Sequence, residues 1–62
     1  MSEHLKTLLD LAERSFRLNM SLGLQIICWK KVEALALTED NIYAWERASF
    51  VLELLQKCET CA

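Results

Sequence analysis

No proline and only one glycine, Gly23, interrupt these 62 residues, so the covalent chain offers little to stop a helix. The same chain is 53% hydrophobic. A domain of about 60 residues buries only about 60% of the surface its unfolded chain exposes, and small scaffolds usually need disulfides, a metal or oligomerisation to be stable. The apolar side chains therefore exceed what so short a fold can hide. Binding, with the surplus as the interface, is the expected function.

Bulk properties narrow the setting. Seven Lys plus Arg against nine Asp plus Glu give a net charge of −2, which supplies no footprint for a phosphate backbone, so nucleic acid is not expected as a partner. Met1-Ser2-Glu3-His4-Leu5-Lys6 lacks the basic-then-apolar order of a signal peptide. The most apolar stretch, Leu18 to Trp29, is broken by Asn19, Ser21, Gly23 and Gln25, so no membrane insertion is expected. A soluble, cytoplasmic protein follows as the expectation. Cys28, Cys58 and Cys61 are odd in number, which argues against a disulfide framework.

Periodicity predicts an all-α chain, an antiparallel two-helix hairpin forming a single domain over residues 1–62. Helix one spans about 3–36, the turn about 37–40 and helix two about 41–58. Ser2 caps the first helix, and Leu5, Leu8, Leu9, Ala12 and Phe16 follow at spacings of three and four. Thr38 is the expected N-cap of the second, with Glu39 and Asp40 in its first turn at the positive end of the dipole. Ile42, Trp45, Ala48, Ser49, Leu52 and Leu55 form its main stripe. Helix one is longer than helix two, so the segment before about Arg17 has no opposite number. It is expected to fray, to fold back near Gly23 as a separately oriented segment, or to lie on a partner.

One passage reads differently. From Arg17 to Ile26 polar and apolar residues alternate, the period of a strand. Leu, Met, Gln and Asn are poor strand formers, and nothing else in the chain offers a pairing strand, so helix is preferred. A continuous helix through the junction would need a coiled coil, yet no heptad register holds from Leu35 to Trp45. Leu24, Ile27, Leu35, Ile42, Trp45, Leu52 and Leu55 are the expected hairpin core.

Catalysis needs a nucleophile, a base and stabilising donors converging in a pocket, and a helical pair with one histidine, His4, supplies none of these. No catalytic residue, cofactor or metal is expected. Cys58-Glu59-Thr60-Cys61 has the spacing of half a zinc site, but a closed site needs about four ligands. Arg14, Arg17, Lys30 and Lys31 are interspersed with Glu13 and Glu33 and read as a solvated face. Tyr43, Phe50 and Leu54 form a second stripe on helix two, about 120° to 160° from the first, which two helices cannot also cover. Leu22, Ile26, Trp29, Tyr43, Arg47, Phe50 and Leu54 are the expected partner-binding residues. Homodimerisation into a four-helix bundle, as a small regulator or adaptor, and docking onto a different helical protein both satisfy that stripe.

Trp45-Glu46-Arg47-Ala48-Ser49-Phe50-Val51-Leu52-Glu53 resembles the W-x-R-x-S-x-x-L-E stretch of the small co-chaperones of type III secretion needle subunits, the YscE/PscE type. The Lys30-Lys31 pair and the opening Met1-Ser2-Glu3-His4-Leu5 add to the resemblance. It implies a helical hairpin in the bacterial cytoplasm that pairs with a larger tetratricopeptide-like chaperone and, through it, keeps a needle subunit monomeric before export. The matching positions are Trp45, Arg47, Ser49, Leu52 and Glu53, with Trp45 and Leu52 expected to be structural. Self-association of the isolated chain is also expected to be possible.

Overall fold

The computed structural model describes residues 2–61, the side chains of 59–61 excepted, as three helices with no strand. They are α1 (Glu3–Arg17), α2 (Leu22–Thr38) and α3 (Ile42–Cys61). The single helix expected over about 3–36 is thus two, parted at residues 18–21, and the N-terminal segment folds back. Arg17 to Ile26, with its strand-like alternation, covers this break and the first turn of α2.

Both breaks are made in the same way, without glycine. Asn19 and Asp40 each adopt φ 57°, the left-handed region that short polar side chains tolerate best after glycine. At the end of α1 the Asn19 N–H donates to Phe16 O at 3.2 Å and the Met20 N–H to Ser15 O at 3.1 Å. At the end of α2 the Asp40 N–H donates to Leu37 O at 3.2 Å and the Asn41 N–H to Ala36 O at 2.8 Å. Each pair is a Schellman closure, which satisfies carbonyls that the helix end leaves unpaired.

The next helix starts within two residues each time. Ser2 Oγ accepts from the Leu5 N–H at 3.1 Å, Ser21 Oγ from the Leu24 N–H at 3.4 Å, and Asn41 Oδ1 from the Ala44 N–H at 3.1 Å. Ser2 is the cap its sequence position suggests. Thr38 is not: it is the last residue of α2, and its Oγ1 donates back to Ala34 O at 3.0 Å. Asn41 caps α3, because Glu39 and Asp40 are used up in closing α2.

The middle helix, α2, packs against both of its neighbours, and the short 39–41 connection sets α2 and α3 side by side in a helical-hairpin type of arrangement. Leu5 and Ala12 of α1, Ile26, Trp29, Val32 and Ala36 of α2, and Ala44, Ala48 and Leu52 of α3 make the buried core. Leu8, Leu9, Leu22, Cys28, Leu35, Val51 and Leu55 pack around it. The polar groups caught inside are satisfied: Ser15 Oγ donates to Ala12 O, and Gln25 Nε2 to Met20 O at 2.8 Å. The latter bond holds the buried Gln25 against the connection that ends α1.

Four of the expected core residues lie elsewhere. Leu24, Ile27, Ile42 and Trp45 are all exposed, whereas Leu52 is buried and Leu35 and Leu55 pack on the core. On α3 the buried side runs through Ala44, Ala48 and Leu52, which keeps Ala48 and Leu52 of the expected stripe but turns its centre roughly 50° round the helix at about 100° per residue. Two causes act together. Ala36, Ala44 and Ala48 are fully buried, so small side chains fill the core where α2 meets α3, and α1 shares a cleft with Val51 and Leu55 and gives them a second neighbour.

Polar ties connect distant parts of the chain. Ser2 Oγ donates to Glu39 Oε2, joining the start of α1 to the end of α2. Ser49 Oγ donates to Glu33 Oε2 at 2.8 Å between α3 and α2, and Arg47 pairs with Glu13 at 3.3 Å between α3 and α1. The Arg47–Glu13 pair is about half exposed, so its contribution is of order 1 kcal/mol or less, and apolar burial carries the fold.

Candidate partner-binding surface

Successive residues of a helix advance by about 100°, which puts Tyr43, Phe50 and Leu54 within about 40° of one another on α3. That stripe points about 140° away from the line of Ala44, Ala48 and Leu52, so neither neighbouring helix reaches it. Tyr43 is 73% exposed, Phe50 58% and Leu54 47%. Arg47 lies beside the stripe, its guanidinium turned to Glu13 of α1. The stripe expected from sequence is therefore intact, and its residues stand together on a formed helix.

The other three expected partner-binding residues do not join it. Ile26 and Trp29 are core, the latter only 3% exposed, and Leu22 packs against the core. They were expected at a surface because α2 is apolar over nearly all its circumference. The fold-back of α1 explains the difference: α2 is covered on two sides instead of one, and α1 occupies the side that a partner was expected to take.

Beside the stripe a cleft of about 300 Å³ runs between α1 and α3. Phe16 and Arg17 form one wall, Arg47, Val51 and Leu55 the other, and Trp29 the floor. Phe16, expected within the amphipathic stripe of α1, is 74% exposed there. Val51 is about 60° round α3 from Leu54, so apolar surface continues from the cleft onto the outer stripe. A second, shallower hollow at the α2–α3 connection is lined by Leu37, Ile42 and Trp45.

Neither Phe16 nor Leu37 was singled out from sequence as a surface residue. A signal for Phe16 was present: Asn19, two residues before Ser21, is a helix stop followed by a helix start, which ends α1 just beyond Phe16 and limits what can cover it.

Among the described residues no group of His, Cys, Asp or Glu could hold a metal ion. Cys28 and Cys58 are free thiols, the first partly buried and the second exposed. The half-site reading of Cys58 to Cys61 falls partly outside the described residues. His4 is exposed on α1 beside Leu8. No described helix is long and apolar enough to cross a membrane. Compared with known proteins, the chain matches no family model, no curated protein and no solved structure.

Proposed function

We propose that this chain is a helical docking module that works by laying the outer face of α3 on a larger helical protein. The observation that carries the reading is the exposed stripe of Tyr43, Phe50 and Leu54 on a helix whose opposite side is already buried. Exposed large apolar groups on a well-formed helix mark interaction surfaces, and aromatic anchors dominate the energetics of such contacts. In this reading α2 and α3 are an antiparallel pair. The three-residue link at 39–41 and the Glu33–Ser49 bond, each partner a similar distance from that link, support it.

The particular role follows from the resemblance of Trp45 to Glu53 to needle-subunit co-chaperones. The chain would act in the bacterial cytoplasm, paired with a tetratricopeptide-like chaperone that keeps a secretion needle subunit monomeric. A polymerising subunit is held back when competing helix contacts occupy its assembly surface, and a repeat array gains stability when its open end is covered. Co-expression with such a chaperone and its needle subunit tests this. Co-purification of all three, with the needle subunit staying monomeric, is the expected result, and Phe50→Glu should abolish capture while helicity persists. A wild-type chain that captures neither protein would end the co-chaperone reading.

A further inference from the structure

From the α1–α3 side of the molecule we infer that the free chain is a symmetric homodimer, the strip from Phe16 across Val51 to Phe50 and Tyr43 packing on the same strip of a second copy. Area decides this. The chain exposes 4557 Å², against about 4,100 Å² expected for a compact monomer of 7.2 kDa. The excess goes with an elongated body, 35 × 20 × 13 Å, which has more surface to cover than a compact one.

A standard interface buries about 800 Å² per partner, of which about 56–65% is apolar, so a stable dimer needs an apolar strip of roughly 450–520 Å². At about 200 Å² per aromatic side chain, the exposed parts of Phe16, Tyr43 and Phe50 alone offer roughly 400 Å². Leu54 and the edges of Val51 and Leu55 bring the strip to roughly 500 Å². The hollow at Leu37, Ile42 and Trp45 offers about half of that, and Leu24 with Ile27 about a quarter. Of these three surfaces only the α1–α3 side reaches the area a dimer requires.

Charge points to a second copy as the occupant. Glu13, Arg17 and Arg47 line the cleft within the strip and Glu46, Glu53 and Lys57 flank it on α3, three of each sign, two pairs of which already neutralise each other within the chain. A two-fold contact sets a patch against itself, so a border rich in one sign would repel its own image, while a balanced one does not. A strongly acidic or basic partner, by contrast, finds no complementary field here. The dimer uses the face that the docking reading gives to a larger protein, so loading such a partner would be an exchange of one occupant for another.

Sedimentation equilibrium of the full chain by itself, from about 1 to 100 μM, separates this inference from the co-chaperone reading, which is tested by capture. Expected is a mass of twice 7.2 kDa, with Phe50→Glu and Phe16→Glu each raising the dissociation constant at least about tenfold at unchanged helicity. Ile27→Glu, on the outer face of α2, should leave the dimer intact. Should Phe50→Glu lose helicity, Tyr43→Ser at a still more exposed position decides by the same criterion. A monomer at 100 μM, a dimer indifferent to the α1–α3 substitutions, or one broken by Ile27→Glu would each overturn the proposal.

Discussion

The two sides of α3 invert the usual relation between size and burial. Inward it presents Ala44, Ala48 and Leu52, and outward Tyr43 and Phe50 with Leu54, so its largest rings stand in water while its smallest side chains are sealed. The inner side is built from small groups: Ala44 and Ala48, at spacing four, are sealed in the same core as Ala36, and side chains of that size leave no room there for bulk. The outer side has no such neighbour within the chain. Its rings are costly to leave exposed, which is intelligible if another molecule covers them.

Several substitutions would break or sharpen this contrast. The largest effect is expected beneath the inner side, where Trp29→Ala should lower stability by about 3–5 kcal/mol in denaturant unfolding, because it empties the floor on which α1 and α3 both rest. A loss under about 1 kcal/mol would mean that Trp29 is not core. Ala48→Leu adds volume where none is free and should cost about 1–3 kcal/mol, well above the few tenths expected for the same change at an exposed helix position.

Asn41→Ala removes the acceptor that starts α3 and should cost about 1 kcal/mol, read as a drop in melting temperature with both sides of the helix affected alike. Trp45→Ala, at a residue expected from sequence to be core, should cost clearly less than Trp29→Ala, since it lines the open hollow at the α2–α3 connection. Equal costs would return Trp45 to the seam. The smallest effect is expected on the outer side, where Phe50→Ser should change the unfolding free energy of the dissociated chain by no more than about 0.5 kcal/mol.

Much of the local structure was legible in the residues. Ser2 as a cap, the amphipathic face of α1 through Leu5 and Ala12, a turn before residue 41, and the shared stripe of Tyr43, Phe50 and Leu54 all follow from spacing and side-chain type. The break at 18–21 was less visible because neither glycine nor proline marks it. It rests on Asn19 in a left-handed conformation and on Ser21 as the next cap, a pair of polar residues that also suits the surface of an unbroken helix.

What the sequence by itself determined is helix throughout, the chemistry of each helix end, and an apolar surplus gathered partly on one line of α3. Those depend on bonds and periodicities within a few residues. Which stripe became core was decided only by the tertiary structure. Trp29 went inside and Trp45 stayed at an open edge because α1 folded back onto α2 and α3 turned its alanines into the core, and the position of a third helix is set by contacts between residues far apart in the chain, which no local period encodes.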